Sequence, residues 1–140
     1  MPKITPTKQC PACRSGKLER KTALQTFTYK RKKLQYEQPG LYCEECGEAI
    51  LDTSDMDAVE PLLFDFRAKI DGYLTTGEIR RIRKKLDLTQ KGAGEIFGGG
   101  HNAFSRYESG LARPPKSMNS LLRLLDKRPE LLCEISKAAA

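Results

Sequence analysis

Two C-x-x-C pairs constrain this chain more than any other feature. Cys10-Pro11-Ala12-Cys13 and Cys43-Glu44-Glu45-Cys46 hold four of its five cysteines. The opening residues, Met1-Pro2-Lys3-Ile4-Thr5-Pro6, carry no apolar signal-peptide core, so a cytoplasmic protein is expected. Disulfides do not persist there, and close cysteine pairs then read as a metal site. A module of under ~50 residues cannot bury enough apolar surface to be secure alone. Four thiolates on one tetrahedral Zn²⁺ supply the missing stability, because binding the metal is part of folding. A catalytic zinc keeps an open position, whereas Cys10, Cys13, Cys43 and Cys46 fill the shell. One structural zinc per chain is therefore expected.

The stretch between the pairs reads as a β-hairpin. Leu24-Gln25-Thr26-Phe27-Thr28-Tyr29 and Leu34-Gln35-Tyr36 alternate in strand fashion, with Lys30-Arg31-Lys32-Lys33 as the tip. Pro11 presets one cysteine turn and Gly47 relaxes the other. Residues 1–9, polar with two prolines, form an expected mobile arm. Thr53-Ser54-Asp55 starts a helix along which Met56, Val59, Leu62, Leu63, Phe66 and Ile70 recur, with a kink or restart at Pro61. That helix would cover the ribbon and complete a metal-binding domain over 10–70. Gly72 and Gly77 mark a hinge linker over 71–77.

Residues 78–140 carry a different pattern. Thr75 and Glu78 make a capping box for a helix lined inside by Ile79, Ile82 and Leu86. Arg80, Arg81, Arg83, Lys84 and Lys85 line its outer face, either solvated or set for phosphate. Thr89 caps the next helix, which buries Ala93, Ile96 and Phe97 and presents Gln90 near an N-terminus that attracts anions. Gly98-Gly99-Gly100 then turn the chain into His101-Asn102-Ala103-Phe104-Ser105-Arg106-Tyr107-Glu108. This is a helix-turn-helix pattern, whose second helix enters a DNA major groove. Asn102 and Arg106 stand four apart on one face, and they suit adenine and guanine respectively. Phe104 and Tyr107 point elsewhere and anchor the helix. His101, Ser105, Gln90, Arg80 and Lys84 are candidate phosphate or groove contacts. Further helices from Ser117 (Met118, Leu121, Leu122, Leu124, Leu125) and Pro129 (Leu131, Leu132, Ile135) form an apolar stripe broad enough for core and dimer interface alike. Cys133 reads as a small buried hydrophobe. The fold class is α+β: a small N-terminal zinc-ribbon-like β module with a covering helix, then an all-α five-helix helix-turn-helix domain.

Charge agrees with that division. Residues 1–70 hold twelve Lys and Arg against ten Asp and Glu, whereas 71–140 hold thirteen against eight. The basic excess lies with the DNA-reading pattern. No apolar run approaches the ~18 residues of a membrane span. One histidine, a filled metal shell and no visible nucleophile–base pair argue against an enzyme. RNA binding through Lys30 to Lys33 competes with a plainly solvated tip.

The order of these parts resembles the MqsA-type antitoxins, a family also labelled the YgiT-type zinc finger joined to an Xre-like helix-turn-helix. The resemblance covers about residues 10–135. It is most specific at Leu88-Thr89-Gln90-Lys91, Glu95-Ile96-Phe97-Gly98-Gly99-Gly100 and Asn102-Ala103-Phe104-Ser105-Arg106-Tyr107-Glu108. It implies an antitoxin of a type II pair that neutralises a ribonuclease toxin, largely through the zinc module. It also implies a homodimer through the C-terminal domain that represses its own operon at an inverted-repeat operator. Gly92 and Gly94 depart from the pattern, standing where stronger helix formers are expected. The residues themselves leave open a stand-alone zinc-ribbon helix-turn-helix regulator with no toxin partner.

Overall fold

The computed structural model describes residues 9–139, so the expected N-terminal arm lies outside it except for Gln9. The chain forms two compact units, one ending at Leu63 and one starting at Phe64, with the boundary inside a helix.

The first unit is a three-stranded antiparallel sheet of order β1-β2-β3, with β1 at Leu18–Tyr29, β2 at Lys32–Cys43 and β3 at Ala49–Ile50. The hairpin is longer than the alternating residues announce. Leu18 pairs with Cys43 at its base and Tyr29 with Lys32 at its end. The tip is therefore Lys30 and Arg31 alone, and Lys32 and Lys33 belong to β2. A two-residue hairpin turn matching the sheet's twist needs positive φ at both positions. Lys30 and Arg31 adopt it at 46° and 68°. The far half of β2 is masked in sequence by Gln38-Pro39-Gly40, which reads as a turn. Pro39 is tolerated because β3 pairs only with Leu41 and Tyr42, leaving that side of β2 an open edge at Pro39. The core of this unit is small: Cys10, Leu18, Leu41 and Cys43 are buried, with Cys13 and Ile50 packed on them.

Helix α1 (Thr53–Asp71) runs on through Pro61 without a break. Asp52 caps it: Asp55 N donates to Asp52 Oδ1 (2.9 Å), and Asp52 N donates back to Asp55 Oδ2 (3.0 Å). Asp55, 4% exposed, also accepts Arg20 Nη1 from β1 (2.8 Å), and its carbonyl accepts Gln38 Nε2 from β2 (2.9 Å). The first turn of α1 thus meets the sheet through polar bonds. Val59 is buried, but Met56 and Leu62, expected on the inner face, are half exposed. Beyond Leu63 the buried residues are Phe64 and Ala68, which the periodicity did not single out.

The second unit contains α2 (Thr76–Lys85), α3 (Gln90–Phe97), α4 (Ala103–Ser109), α5 (Lys116–Lys127), a 3-10 turn (Pro129–Leu131) and α6 (Leu132–Ala139). The expected capping box forms, with Glu78 N donating to Thr75 Oγ1 and Thr75 N donating to Glu78 Oε2. The α1–α2 connection is only residues 72–75, shorter than the expected linker, because Asp71 still belongs to α1 and Thr76 and Gly77 already belong to α2. Asp65 accepts both the N–H and the hydroxyl of Thr76, and Asn119 Oδ1 accepts Leu74 N. Ile79, Ile82, Phe104, Leu122 and Leu125 are almost wholly buried at the centre of the unit. Cys133, expected to be buried, is exposed.

Candidate metal centre and nucleic-acid interface

The two cysteine turns are built alike. Arg14 N donates to the Cys10 carbonyl (2.9 Å) and Gly47 N to the Cys43 carbonyl (3.0 Å), so each pair lies in one tight turn. β2 carries Cys43 directly, while the bridge between Gln9 and Lys17 closes the loop that carries Cys10 and Cys13. The four thiols converge: Cys10 and Cys46 sulfurs lie 3.7 Å apart, Cys13 and Cys43 sulfurs 3.6 Å, and all four are within 4.8 Å of one another. A tetrahedron with Zn–S bonds of about 2.3 Å requires sulfurs about 3.8 Å apart. The donor set and spacing fit a single zinc ion, with Cys10, Cys13, Cys43 and Cys46 as its ligands. Hydrogen bonds from the Ser15 side chain and backbone and from Gly16 N hold the Cys13 thiol down at about 6, favouring the thiolate that a metal needs. A side chain at Gly16 would stand 2.4 Å from Cys43 Sγ, so glycine is required there by space. The metal would occupy the middle of this unit's core and replace the apolar mass the module lacks.

The helix-turn-helix is assembled around α3 and α4. Thr89 Oγ1 accepts Gly92 N (3.0 Å) and starts α3 as expected. Gly98, Gly99 and Gly100 all have φ near 90°, a conformation other residues reach only with strain. Gly94 is explained here as well, because a Cβ on it would meet the Gly100 carbonyl oxygen at 2.2 Å. The close passage of the turn over α3 demands the missing side chain, and helix propensity yields to it. Gly92 has only the Thr89 hydroxyl nearby, at 3.1 Å.

Helix α4 buries Ala103, Phe104, Tyr107 and Glu108. Phe104 packs tilted on Phe97 (5.9 Å between centroids) and edge-on to Tyr107 (5.5 Å). His101, Asn102, Ser105 and Arg106 are all exposed. Asn102 occupies the N-cap position, yet its side chain makes no capping bond. Among the described residues neither Asn102 nor Arg106 has a side-chain partner. Both remain available to a ligand.

The basic face of α2 is less open than its sequence suggests. Arg83 turns inward: four residues after Ile79, it shares the buried stripe and forms a bidentate pair with Glu108. Arg81 and Lys85 pair with Asp126. Arg80 reaches Glu108 (3.4 Å) but stays 55% exposed, and Gln90 Nε2 donates to the same carboxylate (3.2 Å). Lys84 is exposed and, among the described residues, has no ion-pair partner. Sequence reading passed over Glu108. The available signal was its place four residues after Phe104, which puts a carboxylate on the buried face and demands a buried cation opposite.

Residues 8–136 match the family described as the antitoxin component of a bacterial toxin-antitoxin system, MqsA. The chain is 46% identical over 129 residues to the antitoxin MqsA of Escherichia coli (strain K12), covering 91% of this chain and 98% of that protein. Among solved structures it is similar to the N-terminal domain of E. coli MqsA, at 27% identity and a TM-score of 0.42, covering 46% of this chain and 98% of that one.

Proposed function

The chain belongs to the MqsA family, the antitoxin component of a bacterial toxin-antitoxin system, and from that premise we propose that it both neutralises a ribonuclease toxin and represses its own operon. In this reading the zinc-bearing residues 10–70 bind the toxin. Residues 78–140, beyond a linker at 71–77, dimerise and read an inverted-repeat operator. The protein works in the cytoplasm, as a binding protein and not an enzyme. No described helix is long and apolar enough to cross a membrane.

The observation that carries the DNA half is the two-sidedness of α4. Its inner face is fixed by Phe104, Tyr107 and Glu108, while Asn102 and Arg106 stand exposed on the outer one, without side-chain partners among the described residues. Asn102 and Arg106 read bases. His101, Ser105, Gln90, Arg80 and Lys84 contact phosphate or groove walls. Half-exposed Leu124 on α5 supplies apolar surface for the dimer.

The two activities separate in one experiment. Wild type and Arg106→Ala are each expressed beside a reporter driven by the protein's own promoter, and beside the cognate toxin. Arg106→Ala should lose repression and keep full protection against the toxin. Loss of both together, in a protein that remains folded, would count against the division of labour.

A further inference from the structure

Glu108 holds more than the anchoring of α4 requires. Its side chain is 1% exposed, and it sits on the reading helix two residues after Arg106. Arg83 alone satisfies it: Nε donates to both carboxylate oxygens (3.2 and 3.0 Å), and Nη2 donates to Oε1 (2.9 Å). Arg83 Nη1 also donates to the Leu88 carbonyl (2.8 Å), fixing the α2–α3 connection. Two more donors nevertheless converge on the same carboxylate, Arg80 Nε from α2 (3.4 Å) and Gln90 Nε2 from the first position of α3 (3.2 Å).

Arg80 differs from Arg83 in exposure. Arg83 is 12% exposed and bonded at all three of its nitrogens, whereas Arg80 is 55% exposed and bonded, among the described residues, only through Nε. A guanidinium carries five N–H groups in a rigid plane. Engaging Nε fixes that plane and leaves the two Nη groups of Arg80 without a protein partner among the described residues. Gln90 likewise spends one side-chain N–H, and its amide oxygen and second N–H have no partner among the described residues.

We propose that Glu108 is a positioning residue for DNA recognition. One buried carboxylate sets how α4 presents Asn102 and Arg106, and at the same time holds Arg80 and Gln90 as pre-oriented phosphate donors. Base and phosphate contacts thereby share one register. This rests on the DNA-reading role proposed above.

The test uses the full zinc-loaded chain and Glu108→Gln, which keeps shape and removes charge. Binding to the operator and to a scrambled duplex of equal length is titrated across salt, with folding checked by circular dichroism. The operator-to-scrambled preference should fall about tenfold or more, and the salt slope should become shallower by about one. A folded Glu108→Gln with the wild-type ratio and slope overturns the proposal and leaves Glu108 as a packing residue. Should that variant not fold, Glu108→Gln combined with Arg83→Gln removes both buried charges and is read in the same way. Gln90→Ala provides an independent arm, since it truncates a partly exposed side chain at a helix start. Wild-type affinity and slope for Gln90→Ala would also overturn the proposal. If wild type itself fails to prefer its operator, the DNA-reading role falls instead.

Discussion

Arg14 and Gly47 occupy equivalent places in the two cysteine turns: each follows the second cysteine of its pair, and each has a left-handed backbone, with φ of 60° and 76°. Only one of them is a glycine. A non-glycine residue there costs on the order of 1 kcal/mol. Arg14→Gly should therefore stabilise the metal-binding unit by about 0.5 kcal/mol, part of the gain being offset by the freer unfolded chain. Gly47→Ala should destabilise it by about 1 kcal/mol, although nothing lies within 4 Å of the added carbon. Denaturant unfolding at fixed free zinc measures both changes, and equal effects of one sign would contradict the equivalence.

Removing a ligand should dismantle one unit and spare the other. Cys43 lies in the core and is also a ligand, so Cys43→Ser loses a bond to zinc and a packed sulfur together. Metal analysis should fall from one zinc per chain to well below one. Amide exchange should show protection lost over residues 10–46 and retained in the core helices α2 and α5, which have their own buried cluster. Uniform loss of protection would mean the two units fold as one.

Two glycines in α3 should respond unequally to the same substitution. Gly94→Ala drives a carbon to 2.2 Å from the Gly100 carbonyl oxygen, a backbone atom that cannot step aside. It should destabilise the second unit by about 1–3 kcal/mol and displace the turn that leads into α4. Gly92→Ala meets only the Thr89 hydroxyl, at 3.1 Å; that hydroxyl caps α3, so the shift it must make offsets the gain in helix propensity and the net change should stay within about 1 kcal/mol of zero. Thermal unfolding of the two variants ranks them directly.

How much of this was legible in the sequence follows from which signals are local. The cysteine pairs, the two hydroxyl caps at Thr75 and Thr89, the glycine turn and the inward Phe104 and Tyr107 all declare themselves within a few residues. The far half of β2 did not, since Gln38-Pro39-Gly40 reads as a turn until the open edge beside it is known. Gly94 looked like a poor helix residue, because its reason lies six residues away at Gly100. Arg83 and Glu108 were hidden in a similar way: each is a charge on a buried stripe, and its partner is 25 positions distant. Cys133 carries an apolar type to an exposed position, and nothing in the structure explains it.

Acid should weaken the second unit through Asp126. Arg81 donates to both its oxygens (2.9 and 3.0 Å) and Lys85 adds a third bond, which holds the carboxyl at about 2 against an ordinary 3.8. A folded-state value below the unfolded one contributes stability that is present above about pH 4. That stability is lost as pH falls toward about 2. Arg81 is 56% exposed, so screening limits the contribution to under about 1 kcal/mol. The helical melting midpoint of Asp126→Asn should lie below wild type near neutral pH, and the gap should narrow below about pH 4 and close near about pH 2. A gap that stayed constant across this range would assign Asp126 a role other than its charge.

Base readers and phosphate contacts should separate by what each mutation does to sequence preference. Asn102 and Arg106 are exposed, four apart on the helix proposed to enter the groove, and neither side chain has a partner among the described residues. A dimer would place this pair in two major grooves about one helical turn apart, so the selected site should be an inverted repeat. Arg106→Ala should cost about 1–3 kcal/mol and relax preference at one guanine in each half-site, and Asn102→Ala should do the same at an adenine. Lys84 is exposed and has no ion-pair partner among the described residues, and a cation there attracts phosphate whatever the sequence. Lys84→Ala should weaken all duplexes alike and reduce the salt slope by about one. Binding-site selection on wild type and the three variants distinguishes the two classes. If Arg106→Ala selects the wild-type sequence with only weaker binding, Arg106 is a phosphate contact, and the readout must come from another part of the α4 face.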